Sequence, residues 1–328
     1  MSTVRLSPDG QAIALLCSML ALPREASTRP LTPKEWSSLA VSIHASELGT
    51  PSALFGLEAP EIADSIGVSP EAGVRVAELL SRGGQFAIEL ERLTARGIWI
   101  ITRADEGYPQ LFHSRLKATA PPVIFGAGNP SALVARSVAV VGSRDADEAS
   151  IGFATALGRS CARNGLAVVS GGARGIDSAA MLATVDGGGK AIGVVAEALE
   201  RAVRRPDFRP YLADGELTLI AVKHPAAGFS VGDAMGRNRL IYALAEAGVV
   251  VASGESGGTR AGALENLKAG WVPLFVRDDS DAPDGNRELL DAGGLPITGE
   301  ELNGDSLLER LSERPAVDYQ PTLDEAAG

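Results

Sequence analysis

Three stretches of this chain carry a run of small and β-branched residues straight into glycine: VVGSR (140–144), VVSGGARGID (168–177) and VVASGESGGT (250–259). Glycine in such loops costs backbone entropy, so something is expected to approach the backbone closely. Loop N–H groups, together with the N-termini of following helices, favour an anion. Arg144, Arg174 and Arg260 lie in or beside these loops, and a phosphate is the expected ligand, either on a nucleotide or on a nucleic-acid backbone. Gly142, Ser143, Arg144, Ser170, Gly171, Gly172, Arg174, Gly257, Gly258 and Thr259 are therefore candidate phosphate-binding residues. Glycine at strand-to-helix turns is common in doubly wound folds, so the three loops carry weight only together. Asp177 reads as the N-cap of the next helix. Ser143 and Ser170 either donate to phosphate or cap the helices that follow.

Two further segments are basic. GRNRLIYALAEAG (236–248) begins with Arg237, Asn238 and Arg239 before turning amphipathic. Arginines at a helix N-terminus oppose the macrodipole, so a bound phosphate or an internal acid is expected beside them. ERAVRRPDFRPYL (200–212) interleaves Arg201, Arg204, Arg205 and Arg209 with Phe208 and Tyr211. That mixture suits a single strand, with guanidiniums on the backbone and bases stacked on rings; it also suits a solvated loop. GSRDADEASIG and SGGARG lack the alternating glycines of a dinucleotide fingerprint, and there is no Walker A loop.

The elements that must hold these loops follow from periodicity. From about residue 137, near-continuous apolar strands alternate with helices, the signature of a parallel sheet covered on both faces. The expected fold is α/β: a Rossmann-like, doubly wound, mostly parallel sheet, preceded by a small helical N-terminal domain. Its loops after the strands share one edge, where ligands bind. The expected divisions are residues 1–130 (helical domain plus connection), 131–300 (Rossmann-like domain) and 301–328 (acidic tail without a winged-helix domain). Within the first, Thr32 and Ser69 read as N-caps, each followed by proline. IWIIT (98–102) and Val123–Phe125 read as strands.

Composition narrows the class. The chain has 328 residues, 45% hydrophobic and 22% charged, which is ordinary for a globular protein. Its net charge of −11 is confined to one end: residues 278–328 hold 14 acids and 3 basic residues, leaving 27 of each before them. Overall charge therefore does not argue against nucleic acid. Cys17 and Cys161 form no disulfide framework, and three histidines make a zinc site unexpected. No cofactor is expected. The apolar run at 12–22 is too short to span a bilayer, and Asp9 opposes a signal peptide; a cytoplasmic protein without membrane partners is expected.

VAVVGSR, VVSGGARGID, GRNRLIYAL, SGGTRAGA and DGNRELLDAGGLPI stand in the order found in the DprA/Smf DNA-processing proteins, which the chain resembles over about residues 36–300. The resemblance implies single-stranded DNA as ligand, homodimerisation and loading of the RecA recombinase during natural transformation; a binding protein without catalytic turnover is the leading expectation. It implies a DNA pocket of Gly142, Ser143 and Arg144, then Ser170, Gly171 and Gly172, then Arg237, Asn238 and Arg239. Several positions depart from the family pattern. GIDSAAML lacks the usual Ala-His pair, Lys223 stands where an acid is usual, and AMG replaces Phe-Pro before Arg237. A role in defence against foreign DNA fits such a divergent member. The alternative is a small-nucleotide sensor or a phosphoribohydrolase-like enzyme, for which SGGTRAGALE offers Gly257, Gly258, Thr259 and Glu265 at unusual spacing.

Overall fold

In the run Ser137–Gly142, Val138 and Val140 are buried in one hydrophobic cluster, while Ala139 and Val141 are buried in a second. A strand sends successive side chains to opposite faces, so a strand apolar at every position must be covered on both. The computed structural model, which describes residues 6–23, 27–302 and 306–312, bears this out. The nine strands among these residues are β1 (Ile98–Thr102), β2 (Val123–Ala127), β3 (Ser137–Gly142), β4 (Ala167–Ser170), β5 (Ala191–Val194), β6 (Leu217–Ala221), β7 (Ala247–Ala252), β8 (Leu274–Arg277) and β9 (Leu295–Ile297). They form one sheet in the order β1-β2-β6-β5-β4-β3-β7-β8-β9. From β6 through β9 all neighbours are parallel, whereas β1 and β2 are antiparallel additions to the β6 edge. The sheet thus begins at residue 98, and β1 and β2 belong to it although they precede residue 131.

One face carries the N-terminal helices α1 (Pro8–Cys17), α2 (Pro33–Ala45), α3 (Ala59–Ile66), α4 (Pro70–Leu80) and α5 (Gly83–Thr94). The other face carries α6 (Gln110–Leu116). The remaining helices follow in chain order: α7 (Glu148–Arg163), α8 (Ile176–Asp186), α9 (Leu199–Ala202), α10 (Arg209–Asp214), α11 (Val231–Leu244), α12 (Gly258–Ala269), α13 (Gly285–Asp291) and α14 (Ser306–Ser312). Helices α7 and α8 share the first face; α11, α12 and α13 share the second. The N-terminal helices have no core of their own, since Ile13, Trp36, Val76 and Leu93 belong to the same cluster as Val138 and Val168. Thr32 accepts from Glu35 N while the Glu35 side chain accepts from Thr32 N, a reciprocal cap with proline at the first helical position. Ser69 caps α4 in the simpler way, accepting from Ala72 N.

The chain runs from β3 through β6 along one side of the sheet and then returns to place β7 against the other side of β3. The loops after β3, β4, β5, β6 and β7 therefore gather along the carboxyl edge. None of the helices among the described residues is long and apolar enough to cross a membrane.

Candidate functional site

The glycine loops meet, and their glycines are explained largely by how tightly they meet. A β-carbon on Gly142 would lie 2.5 Å from Ile176 Cγ1. Gly175, at φ +87°, leaves no room either: a β-carbon would lie 2.5 Å from the Ser143 carbonyl and 2.7 Å from that of Arg144. Here the left-handed backbone and the close approach both require glycine. Ser143 N donates to Ala252 O at 2.9 Å, tying the β3 loop to β7. Thr259 Oγ1 donates to Gly142 O at 3.1 Å, which brings the third loop to the first.

Arg237 fills the space that Gly171 leaves open, since a β-carbon there would fall 1.6 Å from its guanidinium. Its Nη1 donates to Val194 O at 2.7 Å, and Nη2 lies 4.0 Å from the Asp177 carboxylate. The Arg237 Nε is buried without a hydrogen-bond partner. Burial raises the Asp177 carboxyl above its ordinary value, and the Arg237 charge opposes that rise. Arg237 is itself pulled down by burial and held up by Asp177.

Beneath the loops opens a cavity of about 410 Å³, lined by Arg144, Arg174, Arg201, Arg205 and Arg237, with Glu197 and Phe229 among its other residues. The cations come from the loops after β3 and β4, from α9 and the turn after it, and from α11. Arg144 lies over the exposed Phe229 ring, 5.6 Å from its centroid, and has no carboxylate partner among the described residues. Arg174 pairs with Asp145 at 2.7 Å, but both side chains are at least 80% exposed, so solvent screens the pair to little net energy. Arg201 is 3.9 Å from Glu197. Arg205 donates to Gly172 O at 2.6 Å, pairs with Asp207 and stacks on Phe208. The cavity wall therefore carries more positive than negative charge, much of it only loosely neutralised.

The structure corrects several expectations. Asp177 is not the N-cap of α8: that position is Gly175, and Asp177 sits in the first turn, accepting from Ala173 N. Helix α11 starts at Val231, so Arg237 and Arg239 lie inside the helix, and the anion beside Arg237 is the internal acid Asp177. Ser170 is fully buried and donates to Val140 O at 2.5 Å, closed to solvent. Ser143 Oγ accepts from Asp145 N at 3.2 Å, stabilising its own loop. Asn238 bridges helices by donating to Gly258 O at 2.8 Å. Gly257 and Gly258 start α12 beyond the residues that line the cavity, and Arg260 pairs with Glu288. Arg239 lines an adjoining cavity of about 240 Å³ with Lys223 and His224. Glu265 is exposed on α12, away from both.

The 200–212 segment divides. Phe208 is fully buried, a placement that stabilises by about 1.5–3 kcal/mol and would be lost if the ring swung out to meet a base. Tyr211 hydrogen-bonds Asp186. The Phe208 ring is thus closed to a base, and the Tyr211 hydroxyl is engaged. The exposed ring that lines the rim cavity is Phe229, a lone ring in the polar, glycine-bearing run AAGFSVGD, and that isolation is the signal that marks it.

The family model of the DNA recombination-mediator protein A matches residues 99–301. A DNA processing protein DprA of Bacillus subtilis is 27% identical over 263 residues, which is 76% of this chain and 84% of that protein. A DprA of Mycobacterium tuberculosis is 32% identical over 211 residues, 58% of this chain, and the match spans only 51% of that relative. Among solved structures, DprA from Streptococcus pneumoniae superimposes with a TM-score of 0.65 at 20% identity, covering 95% of this chain and 100% of its own. DprA from Helicobacter pylori, a structure that addresses its single-stranded DNA binding mode, gives a TM-score of 0.55 at 22% identity, covering 65% and 97%. These two likenesses extend the agreement to the fold. The family match runs from β1 to the turn after β9, over more than half of the chain, and so the chain belongs to the DNA recombination-mediator protein A family.

Proposed function

We propose that this protein binds single-stranded DNA at the carboxyl edge of its sheet, with the phosphates on the arginine-lined cavity and a base against Phe229. The observation that carries this reading is the convergence of five arginines from two loops, the α9 segment and α11 around one cavity, with Arg144 lacking any acidic partner among the described residues. Guanidiniums suit phosphate oxygens because their donors form a rigid planar fork. Arg144, Arg174 and Arg201 contact the strand directly. Arg237 and Arg205 hold the Gly171–Gly172 turn in place beneath it. Gly142, Ser143, Ser170, Asn238, Gly258 and Thr259 fix the loops to one another, Gly257 caps α12, and Arg239 lines the neighbouring cavity.

Phosphate contacts position a strand without reading its sequence, so binding is sequence-tolerant and falls with salt. A partly exposed ring under a cation favours an unpaired base over a duplex. The biological setting that fits is DNA uptake and recombination, with RecA and a second copy of this chain as partners. The test is a titration of single-stranded and duplex oligonucleotides across a salt series. Tighter binding of the single strand, weakened by Arg144→Ala, supports the reading; equal binding by Arg144→Ala removes the cavity from it.

A further inference from the structure

We propose a second phosphate-binding subsite on the far side of the α9–α10 segment, where Arg204, Arg209 and Arg96 converge to take the backbone of the same single strand as it leaves the rim. The inference rests on the DNA-binding reading above and extends it. The segment from Leu199 to Asp214 separates two cavities. Arg201 and Arg205 line the rim cavity, whereas Arg204 and Arg209 line another of about 560 Å³, together with Arg96 from the turn between α5 and β1. Cations thus run over the crest of one segment, from one cavity into the next.

Arg204 and Arg209 are exposed, and neither side chain has a hydrogen bond or an acidic partner among the described residues. The acid that lines this second cavity is Glu200, and it is already engaged. Arg92 approaches it at 3.3 Å and Arg96 pairs with it directly. That cluster pins α9 to α5, and Phe208 and Leu212 anchor the segment in the core beneath. The arginine stems therefore stand on a fixed base with their charge unspent, an arrangement that serves an external anion. A small nucleotide would fill either cavity alone. A polyanion that follows the line of cations occupies both, and it makes the N-terminal helical layer part of the DNA surface through Arg96.

The test uses the full chain and fluorescence anisotropy with oligo-dT from about 4 to about 16 nucleotides, the span of single-strand site sizes. The parent is expected to gain affinity with length. The double variant Arg204→Ala/Arg209→Ala keeps parent affinity for the shortest oligonucleotides and loses the gain at greater lengths. It also flattens the slope of log affinity against log salt by about 1.4, roughly 0.7 for each single-strand phosphate that is no longer neutralised. Both side chains are exposed, so its melting temperature matches that of the parent. Parent-like binding by the double variant at every length overturns the subsite. Arg144→Ala separates the two readings, because parent-like binding by that variant overturns the rim site itself.

Discussion

Arg82, in the turn between α4 and α5, donates to the carbonyl oxygens of Leu15, Leu20 and Leu79; Arg144, at the carboxyl rim, has no such acceptors and lies over Phe229. The same side chain serves different ends in the two regions. In the helical layer and at the opposite edge of the sheet, arginines close the backbone. Arg115 caps the end of α11 through the carbonyls of Tyr242, Ala243 and Ala245. At the rim, Arg144 has no acidic partner among the described residues and Arg174 and Arg201 have only loose ones, whereas Arg205 and Arg237 are spent on backbone carbonyls. Guanidinium donors are consumed where they build the fold and left open where they face a ligand. That contrast is the physical basis for reading the rim as a binding surface.

Arg237 tests the contrast most severely, because it is a rim residue used structurally. Replacing it with leucine leaves the Asp177 carboxylate buried without its cation. The expected loss is about 3–5 kcal/mol, read by chemical denaturation. The pH dependence has a definite sign. Burial already raises the folded Asp177 carboxyl, and removing Arg237 raises it further. A group with a raised folded value takes up its proton on folding, so its contribution is fully present below the unfolded value near about 3.9 and is lost as pH rises through the folded value. The destabilisation of Arg237→Leu therefore grows as pH rises and shrinks in acid. A pH-independent difference would show that Asp177 is not the group responsible.

Arg82→Ala comes next. Three buried carbonyls lose their donor, for an expected cost of about 3 kcal/mol. DNA affinity per folded molecule stays at the parent value. If affinity dropped as well, the helical layer would be doing more at the rim than the contrast allows.

Arg144→Ala should behave in the opposite way. Its side chain is exposed and unpaired, so stability changes by no more than about 0.5 kcal/mol. Single-strand affinity falls about ten-fold, the equivalent of roughly 1.4 kcal/mol. A variant that melts early but binds normally would reverse the assignment.

These pairs also mark what was legible in the sequence. The unbroken apolar run Val138–Val141 marks a strand covered on both faces, and local caps such as Thr32 and Ser69 are visible because all their partners lie within three residues. The convergence of the three glycine loops follows from the parallel topology and was readable in advance. What each glycine is for was not. Gly171 is paired with Arg237, 66 positions away, and Asp177 is 60 positions from the same guanidinium, so no local pattern joins them. Strand β9 has only three residues, too few to show a period. Phe208 and Phe229 look alike in a basic or polar setting, yet one is core and the other open, because burial depends on the sheet beneath and not on neighbours in sequence.

Arg75 gives the smallest effect and sits between the two extremes. It donates to the carbonyls of Arg29 and Pro30, as a structural arginine does, but also pairs with Glu35 at 2.7 Å in a setting where both side chains are about a third or more exposed. The hydrogen bond from Arg75, with that from Thr32 N, lowers the Glu35 carboxyl to about 2. A lowered carboxyl contributes stability above its unfolded value, and this is lost as pH falls toward the folded one. Glu35→Gln should thus cost only about 0.5 kcal/mol at neutral pH, since solvent screens the pair. Thermal melts of parent and variant should converge as pH drops from about 4.3, the usual glutamate value, toward 2. High salt should narrow the gap at neutral pH, because the charge of an exposed pair is screened and the neutral glutamine can still accept from Thr32 N. A gap that persists in acid and in salt would mean that the cap, and not the arginine, carries the effect.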